Sequence, residues 1–93
     1  MDIHQQLRGF LDSEQRLKTW PAKPNKQQLA LEYLASKFEA SRDYSEKEVN
    51  EILNHHHTFG DPALLRRELF MKFFLNRTDD GRRYWKEGES IRE

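Results

Sequence analysis

The sequence predicts an α+β domain of winged-helix-like layout: three helices, a C-terminal β-hairpin and a short extended segment near the N-terminus. Three patterns lead there. Apolar residues recur at helical spacing in three separate stretches. Two of those stretches open on helix-start signals. An Asp-Gly pair lies between two short extended runs near the C-terminus.

Residues 1–9 read as a polar lead-in with a helical turn through Leu7. Phe10-Leu11 and Leu17 to Trp20 flank the polar run Asp12 to Gln15, which places two extended pieces around a turn. Pro21 and Pro24 interrupt regular structure because proline fixes φ and lacks an N–H donor. The first helix runs from Asn25 or Lys26 to Phe38, with Leu31, Leu34, Ala35 and Phe38 forming its buried stripe. A polar connection follows from Glu39 to Tyr44, with Tyr44 in a short strand.

Ser45-Glu46-Lys47-Glu48 is a capping box, and the second helix behind it repeats the stripe at Val49, Ile52, Leu53 and His56. Gly60 supplies the freedom to end it. Asp61-Pro62 opens the third helix, with Asp as N-cap and Pro at the first helical position. That helix is expected to reach Phe73, with Leu65, Leu69 and Phe73 inward and Arg66, Arg67 and Phe70 toward solvent. The hairpin comprises Leu75 to Thr78 and Arg82 to Trp85 around Asp79-Asp80-Gly81. A single domain over 10–86 and a frayed charged tail at 87–93 complete the organisation.

A chain of 93 residues holds one core. It is very polar, at 35% hydrophobic and 34% charged, yet six Phe, three Tyr and two Trp supply the buried area that a disordered chain lacks. The absence of cysteine excludes disulfides, thiolate metal sites and cysteine nucleophiles. With no signal peptide and no apolar run of spanning length, the expectation is a cytoplasmic protein without a membrane partner.

Lys plus Arg and Asp plus Glu balance at 16 each, which argues against strong nonspecific nucleic-acid binding. The distribution is uneven. Residues 39–61 carry two basic against six acidic side chains, whereas residues 64–86 carry seven basic against three acidic. One surface can therefore be basic while another is acidic.

Arg66 and Arg67, one turn into the third helix, have the guanidinium geometry for guanine edges or phosphates. Arg77, Arg82 and Arg83 decorate the hairpin, and Lys23 and Lys26 lie at the entrance to the first helix. The competing reading pairs these cations with Glu68, Asp79 or Asp80 as a solvated surface. A second candidate is a polar cluster of Asn50, His57, Asp61 and Arg66 that would hold a partner or small ligand.

The run His55-His56-His57 does not make a metal site, since neighbours on a helix point about 100° apart. Glu51 and His55 form the one well-spaced pair, and two ligands are too few. His57 is expected to bond locally near Asp61. Phe70, Met71, Phe73 and Phe74 exceed what one helix face needs, leaving room for an exposed patch that takes a partner or a second copy as a homodimer. No nucleophile elbow, phosphate loop or metal motif frames the Ser, His and Asp residues, so no enzymatic activity, metal or cofactor is expected.

The segments FLDSEQRLKTWPAK, EVNEILNHHHTFGDPALLRREL and RTDDGRRYW resemble a bacterial family of small domains without an assigned activity, found alone or behind helix-turn-helix transcriptional regulators. The family pattern matches here at Trp20, Pro21, Lys23, Glu48, Val49, Asn50, His57, Thr58, Phe59, Asp61, Leu65, Arg66, Arg67 and Leu69. It matches again at Arg77, Asp80, Gly81, Tyr84 and Trp85. Relatives usually carry glycine where this chain has Phe73, and often where it has Glu14. The resemblance implies a role in transcriptional control, with double-stranded DNA or a transcriptional regulator as partner. The functional expectation is a DNA-binding winged helix, with a protein-interaction or ligand-sensing module as the alternative.

Overall fold

The computed structural model describes residues 3–86. In chain order it contains α1 (Ile3–Gln6), a 3₁₀ turn (Arg8–Phe10), α2 (Pro24–Ala35), β1 (Asp43–Ser45), α3 (Glu46–His55), α4 (Pro62–Met71), β2 (Asn76–Arg77) and β3 (Arg83–Trp85). The charged tail expected at 87–93 lies outside the described residues, as do Met1 and Asp2. The fold is α+β: helices packed with a three-stranded antiparallel sheet of order β1-β3-β2. The last strand is therefore central. Tyr44 pairs with Tyr84 across β1 and β3, and Arg77 pairs with Tyr84 across β2 and β3.

One core holds the elements together. Leu31 and Leu34 of α2, Val49 and Leu53 of α3, and Leu65 and Leu69 of α4 are fully buried, with Tyr44 and Tyr84 closing the sheet side. These are the stripes that helical spacing selects. To the three longer helices the structure adds α1, and the polar lead-in contributes apolar anchors: Leu7 is fully buried and Ile3 packs against the core. The N-terminal extended pieces meet as a bridge between Leu11 and Leu17, with Asp12 carboxylate bonds to the Glu14 and Arg16 amides organising the turn. Those amides, Arg16 first, hold the Asp12 carboxyl below the usual carboxylate range.

Local chemistry sets the helix ends. Pro24, expected to interrupt structure, instead occupies the first turn of α2, where its missing N–H costs nothing. The apolar rhythm of that helix reaches Phe38, but its α-helical bonding stops at Ala35. Lys37 and Phe38 continue as tighter turns to the Leu34 and Ala35 carbonyls, which keeps Phe38 buried. Lys86 donates to the Ala35 and Phe38 carbonyls at 3.1 and 3.2 Å, so a cation from beyond the last strand closes the end of α2. At α3 the capping box forms in full: the Glu48 amide donates to the Ser45 hydroxyl, and the Ser45 amide donates to the Glu48 carboxylate.

The end of α4 departs from expectation. Helical spacing puts Phe73 inward on the helix, but α-helical structure stops at Met71 and Phe73 is 85% exposed. The chain reverses at Phe73, which takes φ 69°. The Phe73 amide bonds the Phe70 carbonyl and the Phe74 amide bonds the Leu69 carbonyl, the pattern that usually employs glycine at this position. The left-handed turn swings the Phe73 ring outward and delivers Leu75 to the core in its place. A side chain in this conformation costs about 1–2 kcal/mol. A glycine here would carry no such cost.

Candidate functional site

Two elements built far apart in sequence meet at a groove. Successive residues of a strand point to opposite faces, so the pairing of Arg77 with Tyr84 directs Arg77 to the α4 side of the sheet. There the Arg77 guanidinium lies 4.5 Å over the Phe70 ring. Ala63, Arg66, Arg67 and Phe70 of α4 join Arg77 and Tyr84 around a shallow cavity of about 200 Å³. Gly81 shapes the hairpin beside it. Its φ of 72° allows the tight turn, and a Cβ there would come within 3.1 Å of the Arg77 guanidinium.

The three arginines of the groove differ in freedom. Arg66 donates to the Asn50 amide oxygen and to Glu46 at 3.2 Å, and its side chain is only 19% exposed, so it braces α4 against α3. Arg67 is exposed on the outer row of α4 with Ala63 and Met71. Arg77 is held by stacking on the Phe70 ring and, among the described residues, pairs with no carboxylate, which leaves its outward edge for a ligand.

The other predicted cations lie elsewhere. Arg83 follows β3 to the opposite face of the sheet from Arg77 and pairs with Asp43 at 3.0 Å. Arg82 extends from the hairpin tip and approaches Asp80 at 3.7 Å. The tip also carries Asp79, so its charge is mixed. The Thr78 hydroxyl donates to Asp80 at 2.7 Å, and this bond, with the Arg82 amide, holds the Asp80 carboxyl below its usual range. Lys26 donates to the Gln6 carbonyl and ties α2 to α1, while exposed Lys23 precedes α2. Neither lysine lines the groove.

The candidate polar cluster resolves into two internal fasteners. Asn50 and Arg66 bond each other. His57 is 4% exposed and stands between two backbone groups, with Nδ1–H donating to the Leu53 carbonyl at 2.6 Å and Nε2 accepting from the Asp61 amide at 2.9 Å. Asp61 caps α4 through the Leu64 amide. His57 thus bonds near Asp61 as its spacing suggests, and together these bonds fix the turn between α3 and α4. Among the described residues no group of three or more His, Asp or Glu side chains is arranged to hold a metal ion.

What sequence reasoning missed are the aromatic walls. Phe70 is expected only to face solvent, and the structure sets it beside the buried Tyr84 to line the groove. The signal was present in the spacing: Phe70 lies four residues after Arg66 and so shares its face.

The class defined by this architecture is a small α+β domain with a basic, aromatic-lined groove between its last helix and its hairpin. The chain belongs to the bacterial family described as an uncharacterized protein conserved in bacteria (DUF2087), whose model matches residues 16–86. No curated protein and no solved structure is significantly similar to it. Among the described residues no helix is long and apolar enough to cross a membrane.

Proposed function

We propose that this protein is a non-enzymatic, winged-helix nucleic-acid-binding module that acts with or within transcriptional regulators. The observation that carries the reading is the convergence of Arg66, Arg67 and Arg77 on one groove between α4 and the hairpin. The chain order supports it: a helix, a strand, two helices and a hairpin, with β1 joined to the final strand. In that layout α4 approaches the major groove of duplex DNA and the hairpin touches the adjoining backbone. Arg67 and Arg77 are the phosphate contacts, with Arg66 positioning α4. The exposed pairs of Arg82 with Asp80 and Arg83 with Asp43 exchange at little cost, because such pairs contribute about 0–1 kcal/mol. They add a peripheral contribution.

Two principal phosphate contacts on a chain of zero formal charge imply modest affinity and a salt dependence with a log–log slope of about −2. In fluorescence anisotropy at low salt, replacing both Arg67 and Arg77 with Ala should weaken duplex binding about tenfold or more and flatten that slope. Failure of the unaltered protein to bind any duplex overturns the reading. Exposed Met71 and Phe73 favour a second reading, a protein-interaction module, in which the double variant retains its partner.

A further inference from the structure

Phe70 is the groove residue whose placement the core does not explain. It is half-buried, yet it stands apart from the rings that pack against the hydrophobic core, which include Phe10, Trp20, Phe59 and Phe74. What covers its ring is a charge, the Arg77 guanidinium at 4.5 Å. The same guanidinium lies against the hairpin turn, where Gly81 is buried and any Cβ would sit 3.1 Å from an Arg77 nitrogen. A ring on α4 and a bare turn in the hairpin therefore define the position of one cation.

The way each groove arginine is held decides what it can do. Arg66 is fixed by Glu46 and Asn50, and its charge is answered there. Arg67 is exposed and, among the described residues, makes no ion pair, so it must be ordered by whatever it binds. Arg77 is fixed by a ring, which orders the side chain and leaves its charge and its N–H donors for a ligand. The cavity of about 200 Å³ that these residues line is smaller than the ~300–1,000 Å³ that whole small ligands occupy, so it takes one group of a larger partner. A planar carboxylate is matched by a single guanidinium fork. A phosphodiester carries its two free oxygens on a tetrahedral centre and receives forks arriving from different elements, here α4 and β2. We propose that Arg77 is a preset guanidinium fork for one phosphodiester of a nucleic-acid strand, with Phe70 as its positioning residue and Arg67 as the mobile second cation. The proposal rests on the nucleic-acid reading above and deepens it: the geometry of the stacked fork, beyond charge alone, sets the affinity.

The test is a double-mutant cycle read by anisotropy of a labelled duplex across a salt series. Phe70→Leu removes the ring and keeps every charge, and because the ring lies outside the core its melting point should stay within about 3 °C. It should weaken binding about threefold at an unchanged salt slope, and Phe70→Tyr should restore the affinity. Arg77→Lys should behave as Phe70→Leu does, since an ammonium keeps the charge but has no planar fork. Arg77→Ala should weaken binding about fivefold and lower the magnitude of the slope by about one. In that background Phe70→Leu should change affinity less than about twofold. Equal affinity of Phe70→Leu and the unaltered protein overturns the proposal, because charge alone then binds the strand and the stack only fastens the hairpin to α4. Independent losses in the double variant overturn it as well, since the ring then acts without Arg77. A polyglutamate peptide that binds more tightly than the duplex, with the same dependence on Phe70, assigns the fork to acidic proteins. Failure of the unaltered protein to bind any duplex sinks the nucleic-acid reading and the preset fork with it.

Discussion

The start of α3 and the end of α4 handle the same physical problem in opposite ways. Both must answer backbone groups that a helix leaves without partners. At α3, Ser45 and Glu48 satisfy two amides reciprocally, with residues that intrinsically prefer those positions. At α4 the hydrogen bonds are equally complete, but the turn that makes them forces Phe73 into a glycine conformation and turns its ring into water. The first end is optimised for the domain by itself. The second carries a cost within the domain, and such costs concentrate where a surface serves a partner.

The turn between those helices sets the upper end of the scale. His57→Ala would leave the Leu53 carbonyl and the Asp61 amide without their partner and open a void in a buried site. We expect a loss of about 3 kcal/mol, read from the urea midpoint. A loss below about 1 kcal/mol would show that water replaces the ring and that the turn is not rigid.

The comparison itself is tested by two changes of opposite sign. Ser45→Ala should destabilise by about 1 kcal/mol, and Phe73→Gly should stabilise by about 1 kcal/mol as relieved strain exceeds the added freedom of the unfolded chain. Thermal melts of the two variants suffice. If Phe73→Gly also destabilises, the ring contributes to the fold and the contrast between the two ends is lost.

The smallest effect concerns pH. Burial, reinforced by Lys37 and His55, lowers the pKa of His56 from its ordinary value. The unfolded chain then binds the proton more readily than the folded one. The associated stability is present above the unfolded value near 6.5 and declines as pH falls through and below it. Stability should therefore drop between pH 7 and pH 5, and His56→Gln should reduce the slope.

Much of the fold was legible because its determinants are local. The Ser45 box, the Asp61-Pro62 start and the Asp80-Gly81 turn each lie within a few residues, and each forms as its chemistry dictates. Tertiary contacts hid the rest. The end of α2 depends on Lys86, fifty-one residues beyond Ala35, and no window of sequence reveals that bond. The role of Arg66 depends on facing Asn50 and Glu46 across a helix pair, so its chemistry suggested a ligand contact while its position makes it a brace. Arg77 and Arg83 look alike in sequence and lie on opposite sheet faces, because register decides which way each points. Phe73 escapes the helical rhythm because it reverses the chain in a conformation that its residue type does not signal.

The order β1-β3-β2 has a consequence for biosynthesis. During translation β1 and β2 leave the ribosome before the strand that lies between them exists, and α2 waits even longer for the lysine that seals its end. Tyr44 consequently spends that interval without its cross-strand neighbour Tyr84. Folding of this domain must therefore finish after residues 83–86 have cleared the exit tunnel, and a nascent chain arrested ahead of them would present an open sheet edge to chaperones.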